Sequence, residues 1–242
     1  MSETKVALVT GANKGIGYEI AHGLGVAGVT VLVGARDAER GATAAGKLTA
    51  EGFSAVPVEL DVTDAVTISA LATRVEHEYG RLDILVNNAG IMLERGQRPS
   101  QTPLALVERT FATNVFAVVA VTNALLPLVR RAPAGRIVNV SSGLGSLALT
   151  ADPAGQYAGA LLLAYNASKS ALNAVTVAFA QELESTRIKV NAACPGYTAT
   201  GVNGFTGTRT VVEAARTPVR LAMLDDDGPT GTLCDDNGTV PW

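Results

Sequence analysis

The stretch from Val6 to Gly17 constrains what this chain can fold into more than any other. It opens with Val6-Ala7-Leu8-Val9, a short and continuous apolar run of the kind found in a strand that is buried on both faces of a parallel sheet. A helical pattern with apolar residues at four-residue spacing follows over residues 15–27. A glycine-rich turn joins the two, so the stretch predicts the first strand–loop–helix unit of an α/β fold.

The same alternation of apolar runs and helical patterns continues along the chain. Glycine after the second and third helices, at Gly52 and Gly80, suits the left-handed position that ends a helix. We therefore expect an α/β Rossmann-like fold with right-handed crossovers: a doubly wound parallel sheet of about seven strands with helices on both faces, in three αβα layers. No linker interrupts it, so residues 1–242 are predicted to be a single domain. Further strands are predicted at 30–35, 55–60, 84–86, 136–140 and 188–193, and further helices at 37–51, 64–79, 104–131 and 165–183.

The regular alternation is interrupted at residues 196–209, which are rich in Gly and Thr and are followed by a capping-box pattern at Thr210 and Glu213. A segment that covers a binding site has this composition, and so does an ordinary surface loop. We expect residues 196–223 to form a substrate-covering loop and helix. The tail from Leu224 to Trp242 contains an acidic run that is predicted to be solvated surface.

Composition and charge exclude several classes of protein. Hydrophobic residues make up 48% of the 242 residues and charged residues 17%, which indicates a folded globule. The net charge of -3, with the basic residues scattered, gives no electrostatic footprint for nucleic acid or an anionic membrane. The amino terminus lacks the apolar core of a signal peptide, and no apolar run of roughly 18–20 residues is free of charges and helix breakers. We therefore predict a cytoplasmic protein that has neither nucleic acid nor a membrane as a partner.

The histidines and cysteines give little sign of further chemistry. His22 and His77 belong to different predicted helices without Cys, Asp or Glu at ligand spacing, so no metal site is predicted. Two cysteines without a secretory signal are typical of a reducing compartment. For Cys194 the preferred interpretation is a buried structural thiol, and a redox-sensitive thiol is the other.

The turn between the first strand and the first helix reads Thr10-Gly11-Ala12-Asn13-Lys14-Gly15-Ile16-Gly17. A doubly wound sheet binds dinucleotides at this position. Glycines permit a tight turn and a close approach of backbone to a pyrophosphate, while the helix amino terminus offers free N–H groups. The spacing differs from the commoner G-x-G-x-x-G, and a turn that serves only strand–helix packing is the other interpretation. We predict that the nucleotide is bound by Gly11, Asn13, Lys14, Gly15, Ile16 and Gly17.

The end of the second predicted strand distinguishes two dinucleotides. A carboxylate there accepts hydrogen bonds from the adenosine ribose, whereas an arginine accommodates a 2′-phosphate. The chain reads Ala35-Arg36-Asp37, and Arg36 with Lys14 supplies two cations suited to that phosphate. NADP(H) is therefore the predicted cofactor. The competing interpretation places Arg36 in solvent and Asp37 on the ribose.

Tyr165 and Lys169 lie four positions apart in Tyr165-Asn166-Ala167-Ser168-Lys169. On a helix this spacing puts both side chains on one face, one turn apart. Free tyrosine ionises at about pH 10, and a nearby positive charge favours the phenolate. The pair could thus donate and accept a proton near neutral pH. The spacing alone is weak evidence, since lysines often follow tyrosines on solvated helix faces.

Four motifs follow one another at the predicted strand ends: Thr10-Gly11-x3-Gly15-x-Gly17, Asn87-Asn88-Ala89-Gly90, Ser141-Ser142 and Tyr165-x3-Lys169. In this order they resemble the short-chain dehydrogenase/reductase superfamily, and the match spans nearly the whole chain. The stretch 13–17, Arg36-Asp37 and Thr217-Pro218-Val219 look like its carbonyl reductase branch. The resemblance implies an NADP(H)-dependent oxidoreductase that interconverts a carbonyl and an alcohol.

The resemblance also implies roles for individual residues. Tyr165 would protonate the carbonyl oxygen, Lys169 would lower the pKa of Tyr165 and hold the nicotinamide ribose, and Ser142 would hydrogen-bond the substrate oxygen. Asn114 matches a helix asparagine that helps to hold a water on the proton relay. The expected cofactor contacts are Asp61 and Val62 at the adenine, Asn88, Ala89 and Gly90 along the cofactor, and Pro195, Gly196 and Thr198 over the nicotinamide amide.

Two features depart from the commonest pattern of the family. Ser142 and Tyr165 are 23 positions apart, which is longer than in the commonest members and shorter than in mammalian-type carbonyl reductases. Residues 146–163 are therefore interpreted as an insertion that shapes the substrate mouth. The predicted helices after the fourth and fifth strands are apolar over much of their circumference, which favours a homodimer or homotetramer. A helix covered by its own sheet has the same composition, and carbonyl reductases with a large insertion here can be monomeric.

The leading hypothesis is an enzyme that transfers hydride between NADPH and a small-molecule ketone, aldehyde or quinone, with Ser142, Tyr165, Lys169 and Asn114 as the catalytic group. An NAD(P)-linked alcohol dehydrogenase that works oxidatively is one alternative. A non-catalytic NADP(H)-binding redox sensor is another, although a sensor has no need to keep Ser142, Tyr165 and Lys169 together.

Overall fold

The computed structural model describes residues 4–242, which form an eight-stranded sheet with helices packed on both faces. The spatial order is β3-β2-β1-β4-β5-β6-β7-β8, and every neighbouring pair is parallel except β7 and β8. The predicted doubly wound α/β sheet is confirmed, with one strand more than expected. The strands are β1 (Val6–Thr10), β2 (Thr30–Ala35), β3 (Ala55–Glu59), β4 (Ile84–Asn87), β5 (Arg136–Val140), β6 (Lys189–Ala193), β7 (Leu233–Asp235) and β8 (Gly238–Val240).

The side chains of β1 alternate between two core layers. Leu8 belongs to the apolar cluster on one face of the sheet, and Ala7 and Val9 belong to the cluster on the other. All five residues of the strand are buried. Because both faces are covered, the strand reads in the sequence as a continuous apolar run rather than an alternating one.

The helices are α1 (Gly15–Val26), α2 (Ala38–Ala50), α3 (Ala65–Tyr79), α4 (Leu104–Phe111), α5 (Ala117–Val129), α6 (Leu147–Thr150), α7 (Leu163–Glu182) and α8 (Val211–Ala222). Gly52 and Gly80 follow α2 and α3 with φ of 92° and 71°, which confirms their left-handed conformation. The capping box of Thr210 and Glu213 at the start of α8 is also confirmed. Helix α6 is a single short turn inside the predicted insertion.

The helix predicted at 104–131 is not uniform. A π-helical segment, Ala112–Phe116, separates α4 from α5, and such segments often occur at functional sites. By length and composition alone, the stretch Leu104–Val129 could cross a membrane, but 56% of its most apolar window is buried inside the fold. Val121 and Leu125 of α5 pack in the core beneath the sheet, so packing accounts for the apolar composition.

The tail from residue 224 contributes two strands to the sheet, which the sequence analysis did not predict. The tail adds β7 and β8 to the sheet, and Leu233 is fully buried. The acidic run is exposed, but Asp226 pairs with the buried guanidinium of Arg136 and with Arg187. A buried arginine requires such a partner, because an unpaired buried charge is strongly destabilising.

Candidate active site

The sheet order places the loops after β1, β4, β5 and β6 next to one another, because these four strands are neighbours and parallel. Parallel strands end at the same edge of a sheet, which is where doubly wound folds bind ligands. The four sequence motifs are therefore gathered at one edge.

The loop between β1 and α1 has the shape of a phosphate cradle. Gly11 and Gly15 have φ of 64° and 59°, a conformation that favours glycine. A Cβ on Gly17 would stand 2.5 Å from the Gly11 carbonyl oxygen, whereas a Cβ on Gly15 would meet no atom within 4 Å. Lys14 gives α1 no side-chain cap, so the first N–H groups of the helix are available to a ligand. This cradle fits the diphosphate of a dinucleotide.

Arg36 and Asp37 take different roles at the end of β2. The Asp37 side chain caps α2 by accepting a hydrogen bond from the Arg40 N–H at 3.0 Å, and it also pairs with the Arg40 guanidinium. Arg36 is exposed and lies within electrostatic range of Asp61. Hydrogen bonds from Thr63 and the charge of Arg36 hold the pKa of Asp61 below its usual value. The cap occupies Asp37, which disfavours its use on a ribose.

The loop after β4 is tied to β1. The Asn88 amide donates to the Thr10 carbonyl at 2.9 Å, and the Thr10 hydroxyl accepts from the backbone N–H groups of Asn88 and Ala89. Gly90 follows, and a Cβ there would stand 3.4 Å from Asn114 Oδ1 and 3.7 Å from Lys169 Nζ. Glycine at this position leaves room beside both side chains. Val62 packs against the core cluster that contains the interior of α3.

Ser142, Tyr165 and Lys169 meet between the end of β5 and the first turns of α7. The Ser142 hydroxyl lies close enough to Tyr165 to lower the pKa of the phenol, and its Oγ accepts from the Leu144 N–H at 3.1 Å. Lys169 Nζ lies 5.7 Å from the centroid of the Tyr165 ring and donates to the Val140 carbonyl at 2.8 Å. A phenol, a hydroxyl and an ammonium are thus collected around one point.

Burial dominates the electrostatics of this group. It raises the pKa of Tyr165 to about 12, although the hydrogen bond with Ser142 acts in the opposite direction. Burial also lowers the pKa of Lys169 to about 8. Both shifts follow from the loss of hydration of the charged forms. Contrary to the expectation that Lys169 brings the pKa of Tyr165 below its ordinary value, the pKa of Tyr165 lies above that value, because desolvation by burial is the largest effect on the phenol.

Asn114 lies in the π-helical segment and its side chain is fully engaged. Its Oδ1 accepts from the Ile91 N–H at 2.8 Å, and its Nδ2 donates to the Ile91 carbonyl at 2.9 Å and to Ser168 Oγ at 3.0 Å. Asn114 therefore joins the loop after β4 to α7. Its contact on α7 is Ser168, which directly precedes Lys169. The sequence indicated an asparagine at the site but not these three bonds.

The segment after β6 closes the site on another side. Gly196 has φ of 73°, and a Cβ on it would stand 2.7 Å from Cδ of Arg209. The Thr198 hydroxyl donates to the carbonyls of Pro195 and Gly196, both at 3.2 Å. Cys194 is buried, its Sγ accepts from the Gly143 N–H at 3.1 Å, and burial raises the pKa of its thiol.

Two further residues at the site, Glu94 and Tyr157, were not predicted from the sequence. Glu94 is 2% exposed, and its two carboxylate oxygens accept from the N–H groups of Ala164 and Tyr165 at 3.0 and 2.9 Å. Tyr157, from the insertion, extends its hydroxyl to Gly143 beside Ser142. Glu94 is about 70 positions from its partners in sequence, and Tyr157 lies in a segment without helix or strand, so no local pattern marks either residue.

Among residues 4–242, no group of three or more His, Cys, Asp or Glu side chains is placed to hold a metal ion.

A doubly wound sheet, a glycine cradle at its first crossover, and Ser, Tyr and Lys side chains gathered at the end of β5 and the start of α7 are the features of a dinucleotide-binding α/β protein with a candidate acid–base site. Residues 5–210 match the family model described as short chain dehydrogenase. The chain belongs to this family, the short-chain dehydrogenases/reductases.

Several proteins named as reductases align with this chain over nearly the full length of both. The protein named carbonyl reductase (NADPH) 1 from Mus musculus is 37% identical, and the alignment covers 100% of this chain and 99% of the relative. The (-)-isopiperitenone reductase of Mentha piperita is 34% identical over 94% of this chain and 95% of its own. Among solved structures, the NADPH-bound carbonyl reductase from chicken fatty liver superposes with a TM-score of 0.84 at 29% identity, covering 99% of each chain.

Proposed function

We propose that the protein is an NADPH-dependent reductase that converts a ketone, aldehyde or quinone to an alcohol. The observation that supports this most directly is the meeting of Ser142, Tyr165 and Lys169 around one point. A proton donor with an orienting hydroxyl and a neighbouring cation is what carbonyl reduction requires of a protein. The reductase names of its relatives agree with this chemistry.

Each member of the group has a part in the proposed reaction. NADPH, when bound, supplies the hydride. Tyr165 holds its proton at neutral pH because burial raises its pKa, and it donates that proton to the carbonyl oxygen. Ser142 hydrogen-bonds the same oxygen and orients it. Lys169 is charged below its pKa of about 8, so it stabilises the phenolate that forms on Tyr165, and it would hold the nicotinamide ribose. Asn114 acts as a positioning residue on this relay, because it ties Ile91 to Ser168.

NADP(H) as the cofactor is supported by the end of β2. Arg36 is exposed there as a partner for a 2′-phosphate, and Asp37 is committed to capping α2. The loop from Gly11 to Gly17 would hold the diphosphate, while Asp61 and Val62 would lie at the adenine. The remaining predicted contacts, Asn88, Ala89, Gly90, Pro195, Gly196 and Thr198, belong to the loops after β4 and β6 at the same edge.

Replacing the proposed proton donor tests the function. Tyr165→Phe should lower kcat for carbonyl reduction by about 10²- to 10⁴-fold, measured as the loss of NADPH absorbance with a panel of ketones, aldehydes and quinones. NADPH binding, followed by its fluorescence, should persist. Tyr79→Phe at the end of α3 is a matched control that should leave the rate unchanged. Full reductase activity in Tyr165→Phe would refute the mechanism, and binding without turnover in the native protein would favour the redox sensor.

The quaternary structure and the cellular location stay predictions. Of the apolar residues that suggested a homodimer or homotetramer, Val115, Val118 and Phe179 are buried within the chain, and Val119, Val175 and Val177 are partly exposed. Light scattering on the purified protein would determine the assembly, and cell fractionation would test the predicted cytoplasmic location.

A further inference from the structure

Tyr157 brings a second phenol to the proposed catalytic group. Its hydroxyl oxygen lies 2.0 Å from the point where a Cβ on Gly143 would stand, so it contacts the backbone directly after Ser142. The Gly143 N–H donates to Cys194 Sγ, and this thiol lies within electrostatic range of both Tyr157 and Tyr165. The two phenols are therefore placed around the same part of the site.

The turn that carries Tyr157 is attached to the helix that carries Tyr165. The Tyr157 carbonyl accepts from the Ala160 N–H at 3.0 Å, which closes the turn. The Asn166 amide, on α7, donates to the Ala160 carbonyl at 2.9 Å. The insertion thus holds Tyr157 in a fixed position relative to Tyr165.

The Tyr157 hydroxyl has no hydrogen-bond partner among residues 4–242. The hydroxyls of Tyr18 and Tyr79, which are likewise half-buried, have no partner among these residues either, so what distinguishes Tyr157 is its place beside Ser142. Burial raises the pKa of Tyr157, so its hydroxyl remains a hydrogen-bond donor throughout the neutral range. An unpaired donor beside Ser142 suggests that its partner belongs to the substrate.

Building on the proposed reductase function, we propose that Tyr157 is a specificity residue that donates a hydrogen bond to a second oxygen of the substrate while Ser142 and Tyr165 hold the reacting carbonyl. The preferred substrates are then carbonyl compounds with an acceptor oxygen a few bonds from the carbonyl, such as diketones and keto esters. A bound substrate without that oxygen would shield the Tyr157 hydroxyl from water and leave it without a hydrogen-bond partner. The resulting loss of free energy makes such a substrate a poorer one than a diketone or keto ester.

The test compares two substrates in the Tyr157→Phe variant, which keeps the ring and removes the donor. We expect kcat/KM for 2,3-hexanedione relative to 2-hexanone to fall about fivefold, the effect of one neutral hydrogen bond. The intrinsic reactivity of each compound cancels when the variant is compared with the native protein. Tyr79→Phe, which removes another half-buried hydroxyl far from the site, should leave the ratio unchanged.

A second variant displaces the Tyr157 hydroxyl without altering Tyr157 itself. Gly143→Ala places a methyl group where the Tyr157 hydroxyl now lies, so the ring must swing away. The selectivity ratio should fall as it does in Tyr157→Phe, and adding Gly143→Ala to Tyr157→Ala should change the ratio no further.

The outcomes separate this inference from the function on which it rests. If the native protein reduces no carbonyl compound, the proposed function fails and the inference fails with it. If the native protein reduces both compounds and Tyr157→Phe leaves their ratio unchanged, or slows both equally, the role of Tyr157 is refuted and the reductase function stands.

Discussion

Tyr165 and Lys169 are close enough to interact, yet neither has the pKa that the sequence spacing suggests. The Lys169 ammonium lies 5.7 Å from the Tyr165 ring centroid, but desolvation by burial is the largest effect on the pKa of each group. Tyr165 is therefore a protonated phenol at neutral pH rather than a preformed phenolate. This state suits reduction, in which the phenol must give its proton away.

The titration of Lys169 predicts the pH dependence of the reaction. Burial lowers its pKa to about 8, so the ammonium is present below that pH and is lost above it, whereas Tyr165 stays protonated up to about 12. Initial rates of carbonyl reduction should be level near pH 7 and fall up to tenfold per pH unit above about 8. Ser142→Ala should lower the rate without changing the pH above which the rate falls. A rate that stays level to pH 10 would contradict the assignment to Lys169.

Arg36 makes a prediction about the choice of cofactor. It is exposed at the end of β2, where the 2′-phosphate of NADPH would need a cation. Arg36→Asp should lower kcat/KM for NADPH about tenfold or more and shift the preference toward NADH. Lys47→Asp makes the same change of charge on the exposed side of α2 and should leave the preference unchanged. An unaltered preference in Arg36→Asp would mean that Arg36 serves only the surface.

Helix α7 owes its position to two polar anchors from distant elements. Glu94 holds its first turn, and Asn114 holds Ser168 one turn later. The sequence predicted this helix because its apolar residues recur at helical spacing, which is a local property. Its anchors arise from contacts about 54 and 70 positions away, which no periodicity records. The π-helical segment that carries Asn114 was likewise not visible in a stretch that reads as one long helix.

We predict that replacing Glu94 lowers kcat by more than the loss of stability alone explains. Glu94→Gln replaces one acceptor by a donor that faces a backbone N–H, so the start of α7 and Tyr165 with it should shift. We expect kcat to fall about tenfold to a hundredfold with NADPH binding retained, since small misplacements of a catalytic group are costly. Asp64→Ala removes the side-chain cap of α3 and should lower stability by about 1 kcal/mol at full kcat. Equal losses of kcat in both variants would reduce Glu94 to a structural role.

At the scale of the whole molecule, some strands can be predicted from sequence patterns and others cannot. Strands β1 to β6 were predictable because each contains a short run of apolar residues next to a helix, and the glycine loop because its φ values favour glycine. Strands β7 and β8 have three residues each, too few for a period to show, and form only on the edge that β6 provides. The contacts of Tyr157 and Asp236 likewise exist only when distant segments have packed.

Asp236, in the turn between β7 and β8, connects the tail to the predicted substrate-covering segment. It accepts from the Thr217 hydroxyl at 2.6 Å and pairs with Arg209. Burial raises its pKa, but hydrogen bonds from Thr217 and Arg209 outweigh this effect and hold the pKa below its usual value. A carboxyl group with a lowered pKa contributes stability at neutral pH, and this contribution is lost as the pH falls through the folded-state pKa.

Asp236→Asn should therefore lower the free energy of unfolding by about 1–2 kcal/mol at pH 7 and the melting temperature by roughly 2–8 °C. The difference from the native protein should shrink as the pH falls below about 4, because the native carboxyl group is then protonated. The amide of Ala199, which donates to the Arg209 carbonyl at 2.9 Å, should exchange hydrogen faster in the variant. The exposed Asp227 provides the control, and Asp227→Asn should change neither quantity. If Asp236→Asn melts with the native protein and exchange at Ala199 is unaltered, the tail does not secure the segment over the site.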